Sequence, residues 1–249
     1  MQKSKKKTKK LISKNEYKDK KECILEGQNG PITKEEIFKL FKLENSICKI
    51  KFERIENNKK VSGKGTGFFC EIENDDFPMK YCLFTNNHVL NEENIQINKK
   101  IKFEYYTESF LGAKYEEREI KLTPDRKVFT NKDLDYTCIE IFESDDIEHF
   151  FKIEPLLYSS KENDFLKGKD IFILQYPNGN AMSFSCGKIN KIVGNKLAHS
   201  ASTDHGSSGS PIILRGDDNY VIGLHYGGKK AIIGQQKLTI FYKTFQKIF

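Results

Sequence analysis

The sequence predicts an all-β protein, either a sandwich or a barrel, on the strength of three observations. Its apolar segments are short and are separated by turns rich in Gly, Asn and Asp. The middle of the chain lacks a long helical pattern, which argues against alternating strands and helices. The 249 residues are 37% hydrophobic and include 19 Phe and 11 Tyr, enough to build a sizeable core. A chain of this length forms one large all-β unit or two small ones.

The predicted strands begin where the spacing of apolar residues becomes strand-like, after residue 46. Each is a short run rich in β-branched and aromatic residues, and most are bounded by polar turns. They are 47–52, 65–72, 81–85, 101–105, 119–122, 136–141, 171–175, 182–193, 210–214, 221–226 and 231–233.

Two short helices are predicted outside the strand region. Thr33 followed by Glu36 has the spacing of a capping box, in which each side chain binds the other residue's backbone N–H. Ile37, Leu40 and Phe41 then fall on one face of an amphipathic helix within residues 31–44. At the other end of the chain, apolar residues recur at helical spacing over 238–249, which predicts a C-terminal amphipathic helix.

The basic character of the chain lies in its first 21 residues, which hold ten Lys against one Glu and one Asp, while the whole chain has a net charge of +7. The remainder is therefore close to neutral. Such a like-charge block repels itself, and we expect residues 1–30 to form a disordered tail. It has two readings: a solvated tail that aids solubility, or a nuclear address or anchor to nucleic acid or anionic lipid.

No membrane span, secretory signal or metal site is expected. The chain has no run of about 18 to 20 apolar residues, and the stretch after Met1 is basic and polar. An intracellular location, cytoplasmic or nuclear, is the expectation, with association with a virion as the alternative if the chain is viral. Six cysteines form no C-x-x-C pair and no zinc spacing with His, so we expect buried free thiols and no metal or cofactor.

Three segments carry residues suited to catalysis, each beside a predicted strand. They are 84–90 (FTNNHVL), 133–141 (DLDYTCIEI) and 202–212 (STDHGSSGSPI).

The third segment has the composition of a sharp turn. A chain that turns at Gly206 can direct the backbone N–H groups of Gly206 and Ser208 at one point, as an oxyanion hole requires. Serine is a weak nucleophile and needs a base, usually His, which an acid holds in the right tautomer. His88 and Asp135 precede Ser208 in the order His, Asp, Ser. The esterase elbow G-x-S-x-G is not met.

Together and in this order, the three segments resemble the catalytic blocks of the trypsin/chymotrypsin superfamily. T-N-N-H-V is similar to the histidine block of HtrA-type proteases and glutamyl endopeptidases, and G-S-S-G-S-P is similar to their G-N-S-G-S-P. The resemblance covers about residues 45–240. The catalytic set that it implies is His88, Asp135 and Ser208, with the backbone N–H groups of Gly206 and Ser208 as the oxyanion hole.

The resemblance also implies a chymotrypsin-like fold, with two antiparallel six-stranded β-barrels and the site in the cleft between them. The expected division of the chain is a tail at 1–30, a short helix at 31–44, an N-terminal barrel at 45–150 and a C-terminal barrel with its helix at 151–249.

Two aspartates compete for the role of the acid. In the superfamily pattern the acid is followed by two apolar positions, a small or apolar pair, and then an apolar position after any residue. Asp135 fits this register. If Asp133 were the acid instead, Asp135 would occupy a buried position, or the buried face of the strand would be shifted by two residues. Taken singly, each triad member also has an ordinary structural role as a strand-end His, a turn cap or a turn serine.

The segment 221–228 resembles the wall of the primary specificity pocket in staphylococcal-type glutamyl endopeptidases and picornaviral main proteases. In those enzymes a His at the position of His225 binds a Glu or Gln side chain, and Thr203 also matches the glutamyl endopeptidases. Ser202 falls at the pocket base, where an Asp would favour Lys or Arg. Tyr226, Gly227 and Gly228 would pair with the substrate as an added strand. The alternative is an inward His225 bonded to a neighbouring carbonyl.

The sequence therefore predicts a serine endopeptidase that cleaves protein or peptide substrates after Glu or Gln. The alternative from another class is a weakly active or inactive peptide-binding or scaffold protein on this fold. In that case the basic tail would tether it to nucleic acid or to a particle.

Overall fold

The computed structural model of the chain describes residues 31–56, 58–74, 77–106, 115–159, 164–194, 196–216, 218–227 and 230–233. The expected tail at 1–30 and the expected C-terminal helix at 238–249 lie outside the described residues. No helix in the described part is long and apolar enough to cross a membrane.

The chain is mostly β, with fourteen strands in the described residues. The helices are α1 (Lys34–Lys42) and α2 (Leu156–Ser159), with short 3-10 turns at Glu44–Ser46, Glu143–Asp145, Asp164–Leu166 and Pro177–Gly179. The first eight strands are β1 (Ile47–Glu56), β2 (Lys59–Glu71), β3 (Tyr81–Thr85), β4 (Lys100–Tyr106), β5 (Tyr115–Lys121), β6 (Val128–Asn131), β7 (Tyr136–Glu140) and β8 (Phe151–Lys152). The other six are β9 (Asp170–Gln175), β10 (Ser183–Val193), β11 (Lys196–His199), β12 (Pro211–Leu214), β13 (Val221–His225) and β14 (Lys230–Ile233).

The first eight strands form one sheet in the order β5-β4-β1-β2-β3-β7-β6, with β8 paired to β2. The expected antiparallel six-stranded barrel differs from this half in two ways: the described strands form an open sheet of eight, because the sequence missed β6 and β8, and β8 is parallel to β2. The four residues of β6 are all half-buried and show no alternation. The two-residue β8 runs parallel to β2 and is held there because the Phe151 ring packs edge-on against Phe68.

The last six strands close into a barrel in the order β10-β11-β14-β13-β12-β9. Most of its strands match predicted segments, but β11 was missed because its four residues, KLAH, are short and mixed in polarity. Closure removes the exposed sheet edges of this half in the described residues.

Successive side chains of β2 enter different hydrophobic clusters, as the two-residue period of a strand requires. Phe68 stacks on Phe84 in a cluster that also contains most of the buried residues of the barrel. Phe69 points the other way and meets Phe103 and Tyr105 in a second cluster within the first sheet. The shared first cluster packs the two halves of the molecule together.

Helix α1 packs on the closed barrel. The predicted capping box is present, with Thr33 and Glu36 each binding the other's backbone N–H. Glu36 also receives two hydrogen bonds from the Arg215 guanidinium, at 2.6 and 2.9 Å. These bonds hold the pKa of Glu36 down to about 2, and Leu40 is buried.

The described cysteines are free thiols, as the sequence predicted. Cys48, Cys70, Cys82 and Cys138 are buried and Cys186 is partly buried. Burial raises the pKa of the Cys70 and Cys82 thiols. Both therefore stay protonated and act as small apolar side chains in the core.

Candidate active site

His88 and Asp135 form a close pair at the rim of the first sheet. His88 follows β3, and Asp135 immediately precedes β7, the neighbouring strand. The Nδ1 atom of His88 lies 2.8 Å from Oδ2 and 3.0 Å from Oδ1 of Asp135. Oδ1 also accepts the backbone N–H of His88 at 3.0 Å. One carboxylate thus fixes both the backbone and the ring of the histidine.

The local backbone aims Asp135 at His88. Asp135 has φ +49°, the left-handed conformation that Asp tolerates better than most residues. The side chain of Asn86 donates to the Asp135 carbonyl at 2.8 Å, which ties the two loops together. Asp133 is exposed. Of the two candidate acids, therefore, Asp135 is the one that contacts the histidine.

Ser208 lies in a tight turn that begins at Asp204. The backbone of Ser207 donates to the Asp204 carbonyl at 3.0 Å, and the buried Ser207 hydroxyl accepts from the Asp204 N–H at 3.1 Å. The Asp204 carboxylate accepts from the His205 N–H at 2.7 Å and from the Asn178 side chain at 2.8 Å. These bonds lower the pKa of Asp204 and fix the entry to the turn.

Two backbone N–H groups of this turn have no acceptor among the described residues. The N–H groups of Ser207, Gly209 and Ser210 all donate to carbonyls, whereas those of Gly206 and Ser208 do not. Gly206 has a φ of +84°, a left-handed conformation that lets the chain turn just before Ser208. Gly206 and Ser208 are both partly exposed, so the two N–H groups can be reached by an external acceptor, and a pair of donors in one turn is suited to bind an oxygen anion.

Thr66 of β2 anchors the turn to the first sheet. Its backbone N–H donates to the Ser208 carbonyl and its hydroxyl donates to the Gly206 carbonyl, both at 2.8 Å. A Cβ added at Gly209 would collide with the carbonyl of Thr66 and lie 2.5 Å from Oγ1 of Thr85. The serine turn therefore needs glycine at 209, and its position is set by contacts between the two halves of the molecule.

The Ser208 side chain is half-buried, and in the described residues no hydrogen bond joins its Oγ to His88. A Cβ built on Gly227 would lie 3.9 Å from this Oγ, so the segment after β13 borders the hydroxyl. Hydrogen bonds between catalytic groups are often long in empty sites and shorten only when substrate binds.

His225 lies beside the serine turn and is 1% exposed. Its backbone carbonyl accepts from the Gly209 N–H and its N–H donates to the Ser210 carbonyl. Its ring Nδ1 is 3.4 Å from Nε2 of His199, which is also buried. Burial, followed by His199 and His88, lowers the pKa of His225 to about 3. Burial likewise lowers the pKa of His199, so both rings are neutral at pH 7.

The other predicted pocket residues lie along two segments. Ser202 and Thr203 lie on the irregular segment from His199 to the serine turn, and Gln175 donates to the Ser202 carbonyl at 3.0 Å. Strand β13 pairs with β12 as far as Leu224 and with β14 as far as His225, and Tyr226 follows the last of these paired residues. Tyr226 and Gly227 are partly exposed, and Gly228 lies outside the described residues.

Sequence reasoning missed Thr66, His199 and Asp204. Thr66 sits in G-T-G before an apolar run, and Asp204 stands two residues before the turn glycine; both were visible but had no assigned role. No sequence signal brings His199 to His225, because their contact depends on how the barrel strands pair.

A β-sheet followed by a closed barrel, with His88 and Asp135 on the first and Ser208 on the second, is the arrangement of a chymotrypsin-like protein. Residues 65–224 match the family described as trypsin-like peptidase domain. Since this match covers more than half of the chain, the chain belongs to that family.

Relatives and solved structures agree with this assignment. The chain is 28% identical over 154 residues to a glutamyl endopeptidase of Staphylococcus epidermidis, over 59% of this chain and 50% of that protein. The glutamyl endopeptidase of strain ATCC 12228 of the same species gives the same values. The chain thus spans about half the length of the curated relatives that it matches. The crystal structure of Deg5 superposes with a TM-score of 0.56 at 17% identity, over 84% of this chain and 94% of that one.

Proposed function

We propose that the chain is a serine endopeptidase that uses His88, Asp135 and Ser208 and that selects Glu or Gln before the scissile bond. The observation that carries the proposal is the unpaired state of two turn donors, the N–H groups of Gly206 and Ser208. They belong to the same turn as Ser208, and Asp135 holds His88, the base proposed to act on this serine.

In the first half of the reaction, Ser208 Oγ attacks the carbonyl carbon of the scissile peptide and its proton passes to Nε2 of His88. Asp135 accepts the Nδ1–H of the same ring, which leaves Nε2 free as the base and stabilises the imidazolium. The carbonyl oxygen becomes an oxyanion and accepts from the N–H groups of Gly206 and Ser208. Collapse breaks the C–N bond, and His88 gives its proton to the leaving amine.

In the second half, water takes the place of the amine. His88 accepts a proton from the water, whose oxygen attacks the ester carbonyl of the acyl-Ser208. The same two N–H groups stabilise the second oxyanion. Its collapse breaks the ester bond and returns the proton from His88 to Ser208 Oγ, so that the enzyme is regenerated.

Selectivity for Glu or Gln follows from the buried donors of the pocket. A buried carboxylate or carboxamide is costly unless it is hydrogen-bonded. His225 is neutral, so one of its ring nitrogens carries a proton and can donate. When Nε2 of His199 donates to Nδ1 of His225, the proton of His225 is on Nε2 and faces away from His199. His199 would thereby set the tautomer that His225 presents to the substrate.

Binding of Glu should also be coupled to proton uptake. A carboxylate next to His225 favours its protonated form and so raises its pKa from the low value that burial causes. A neutral Gln side chain has no such effect. The ratio of kcat/KM for Glu over Gln should therefore rise as pH falls from 8 to 6.

The test uses matched peptides with Glu, Gln, Phe or Lys before the bond. The wild-type protein should favour Glu and Gln over Phe by about 100-fold or more, because an apolar side chain leaves the donors unpaired. The variant His225→Ala should lose most of this ratio, whereas Ser202→Ala should keep it. A Phe or Lys preference in the wild type would overturn the selectivity, and so would a His225→Ala protein that still prefers Glu. Absence of hydrolysis and of fluorophosphonate labelling at Ser208 would overturn the catalytic proposal.

A further inference from the structure

A row of three lysines crosses the first sheet close to the serine turn. Lys51 of β1 is directly opposite Lys64 of β2 on one side and Lys102 of β4 on the other. Directly paired residues of adjacent strands share a face of the sheet, so the three side chains project on the same side. With strands about 4.8 Å apart, the row spans about 10 Å. We call these three residues the lysine row.

Two members of the lysine row have no carboxylate partner among the described residues. Lys51 binds Glu104 at 2.9 Å and also Glu117. Lys64 has only a long contact, 3.5 Å, with the Gly179 carbonyl. Lys102 is exposed, and the glutamate opposite it, Glu119, binds Lys100 instead.

The two glutamates bound to Lys51 compensate its charge, whereas Lys64 and Lys102 place two further positive charges directly opposite it on the sheet. The groove beside the row adds to the effect. It has a volume of about 610 Å³ and is lined by five lysines and two glutamates. Those two acids, Glu53 and Glu117, are already bound to Lys60 and Lys51. The groove thus offers uncompensated positive charge to an external anion.

The lysine row begins next to the Gly206 end of the serine turn, whereas His225 borders the other end of the turn, at Gly209. Residues 225–227 border the turn at Ser208 and Gly209. At Gly206 the turn is bordered by Tyr176 and Gly179, whose backbone atoms lie 2.6 and 2.9 Å from the site of an added Cβ. The side chain of Lys64 lies against Gly179. Lys64 is also only two residues, about 7 Å, from Thr66, which binds the turn.

We propose that the lysine row binds an acidic stretch of the substrate that follows the scissile bond. This inference rests on the proposed function, in which the residues before the bond pair with the strand edge at 226–227. The chain after the bond then leaves past Gly206, over Lys64 and toward Lys102. At about 3.3 Å per residue, a row of 10 Å corresponds to three extended residues. The substrate class is therefore a polypeptide with Glu or Gln before the bond and a short acidic cluster after it.

The test compares two peptides that differ only after the bond. Both carry Glu before it; one then has Ala-Asp-Glu-Asp and the other Ala-Asn-Gln-Asn. In the wild type the acidic peptide should have about tenfold higher kcat/KM at low salt, a ratio expected from two or three exposed ion pairs. The ratio should fall toward one in 0.5 M salt. Moving the acidic cluster to the residues before the bond should abolish the advantage.

The variant Lys64→Gln/Lys102→Gln should reduce the ratio to below about twofold. The matched control is Lys167→Gln/Lys191→Gln, which removes the same charge from exposed positions on the barrel half. It should keep the wild-type ratio. The thermal midpoint of the first variant should not fall, since the change relieves repulsion. Equal cleavage of both peptides by the wild type, or an unchanged ratio in the first variant, would overturn the proposal.

A binding measurement separates this proposal from the proposed function. Fluorescence anisotropy with the Ser208→Ala protein reports binding of the labelled acidic peptide without catalysis. If no peptide is hydrolysed but binding depends on Lys64 and Lys102, the lysine row stands and only the catalytic proposal fails. If single-stranded DNA or anionic vesicles bind through these lysines and displace the acidic peptide, the row serves a different anion and the proposal fails.

Discussion

His88 and His225 belong to the two halves of one cleft and differ in nearly everything around them. His88 has 45% of its side chain exposed and is bound by a carboxylate. His225 is 1% exposed, and its ring neighbour is another histidine. An exposed ring beside an anion can gain and lose a proton during each turnover. A buried ring without a counter-charge stays neutral and serves as a fixed hydrogen-bond donor. Under the proposed function, these two environments would suit one residue type to two roles, the exposed His88 as the base and the buried His225 as the selector.

The largest expected effect is the loss of activity when His88 or one of its two proposed partners is changed. If the proposed triad is correct, Ser208→Ala, His88→Ala and Asp135→Asn should each lower kcat/KM by about 10⁴-fold or more, because the members of such a triad act as a unit. The fold should persist in each variant, as circular dichroism can show.

Asp133→Asn is the matched control for this experiment, since it removes an exposed carboxylate two residues away. It should leave activity within about twofold of the wild type. An inactive Asp133→Asn protein together with an active Asp135→Asn protein would reverse the assignment of the acid.

Gly209 joins the two regions, so changing it should disturb both. Gly209→Ala would bring a methyl group into the Thr66 carbonyl at a φ of +90° and would strain the bond to the His225 carbonyl. We expect a loss of about 3 kcal/mol or more in the free energy of unfolding, measured by urea denaturation. Gly168→Ala is the control: its φ is +73° but open space surrounds it. It should cost only about 1 kcal/mol. Equal losses in both variants would mean that the contact with Thr66 is unimportant.

The sequence identifies the residue types of the candidate site more readily than the contacts that hold them in place. The proposed acyl transfer needs a nucleophile, a base and an acid, so residue types alone single out His88, Asp135 and Ser208, and the turn residue Gly206 lies close to Ser208 in the chain. The structure places His88 and Asp135 within hydrogen-bond distance. Thr66 and His199 act through partners far away in sequence, and such contacts depend on strand pairing that local patterns do not encode.

The same limit explains the errors in the fold. The predicted strands were those with clear apolar runs, whereas β6, β8 and β11 are two to four residues long and have no such run. They become strands because a longer neighbouring strand has backbone N–H and C=O groups available for pairing. The sequence also could not show how deeply barrel closure buries the ring of His225.

Burial of His225 should make the protein less stable in acid. Its pKa is about 3 when folded and 6.5 when unfolded, so between these pH values the unfolded chain binds more protons. The stability that the neutral ring allows is therefore fully present above pH 6.5 and is lost as pH falls toward 3. The loss is about 1.4 kcal/mol per pH unit, or about 2 kcal/mol at pH 5. The free energy of unfolding of His225→Gln should fall less between pH 7 and pH 5 than that of the wild type. Parallel curves for the two proteins would show that His225 titrates normally.

The smallest expected effect comes from deleting the lysine-rich residues 1–21. This experiment tests which group is responsible for the proposed preference for Glu before the scissile bond. A neutral His225 brings no positive charge to the pocket, so a Lys of the tail is the rival source of a preference for Glu. If His225 and His199 suffice, deleting residues 1–21 should leave kcat/KM for short Glu and Gln peptides, and their ratio, within about twofold. Any binding of the chain to nucleic acid should disappear with the deletion and should weaken steeply with salt. Loss of the Glu preference in the truncated protein, with Gln cleavage retained, would assign the charge to the tail and leave His225 as a neutral donor for either side chain.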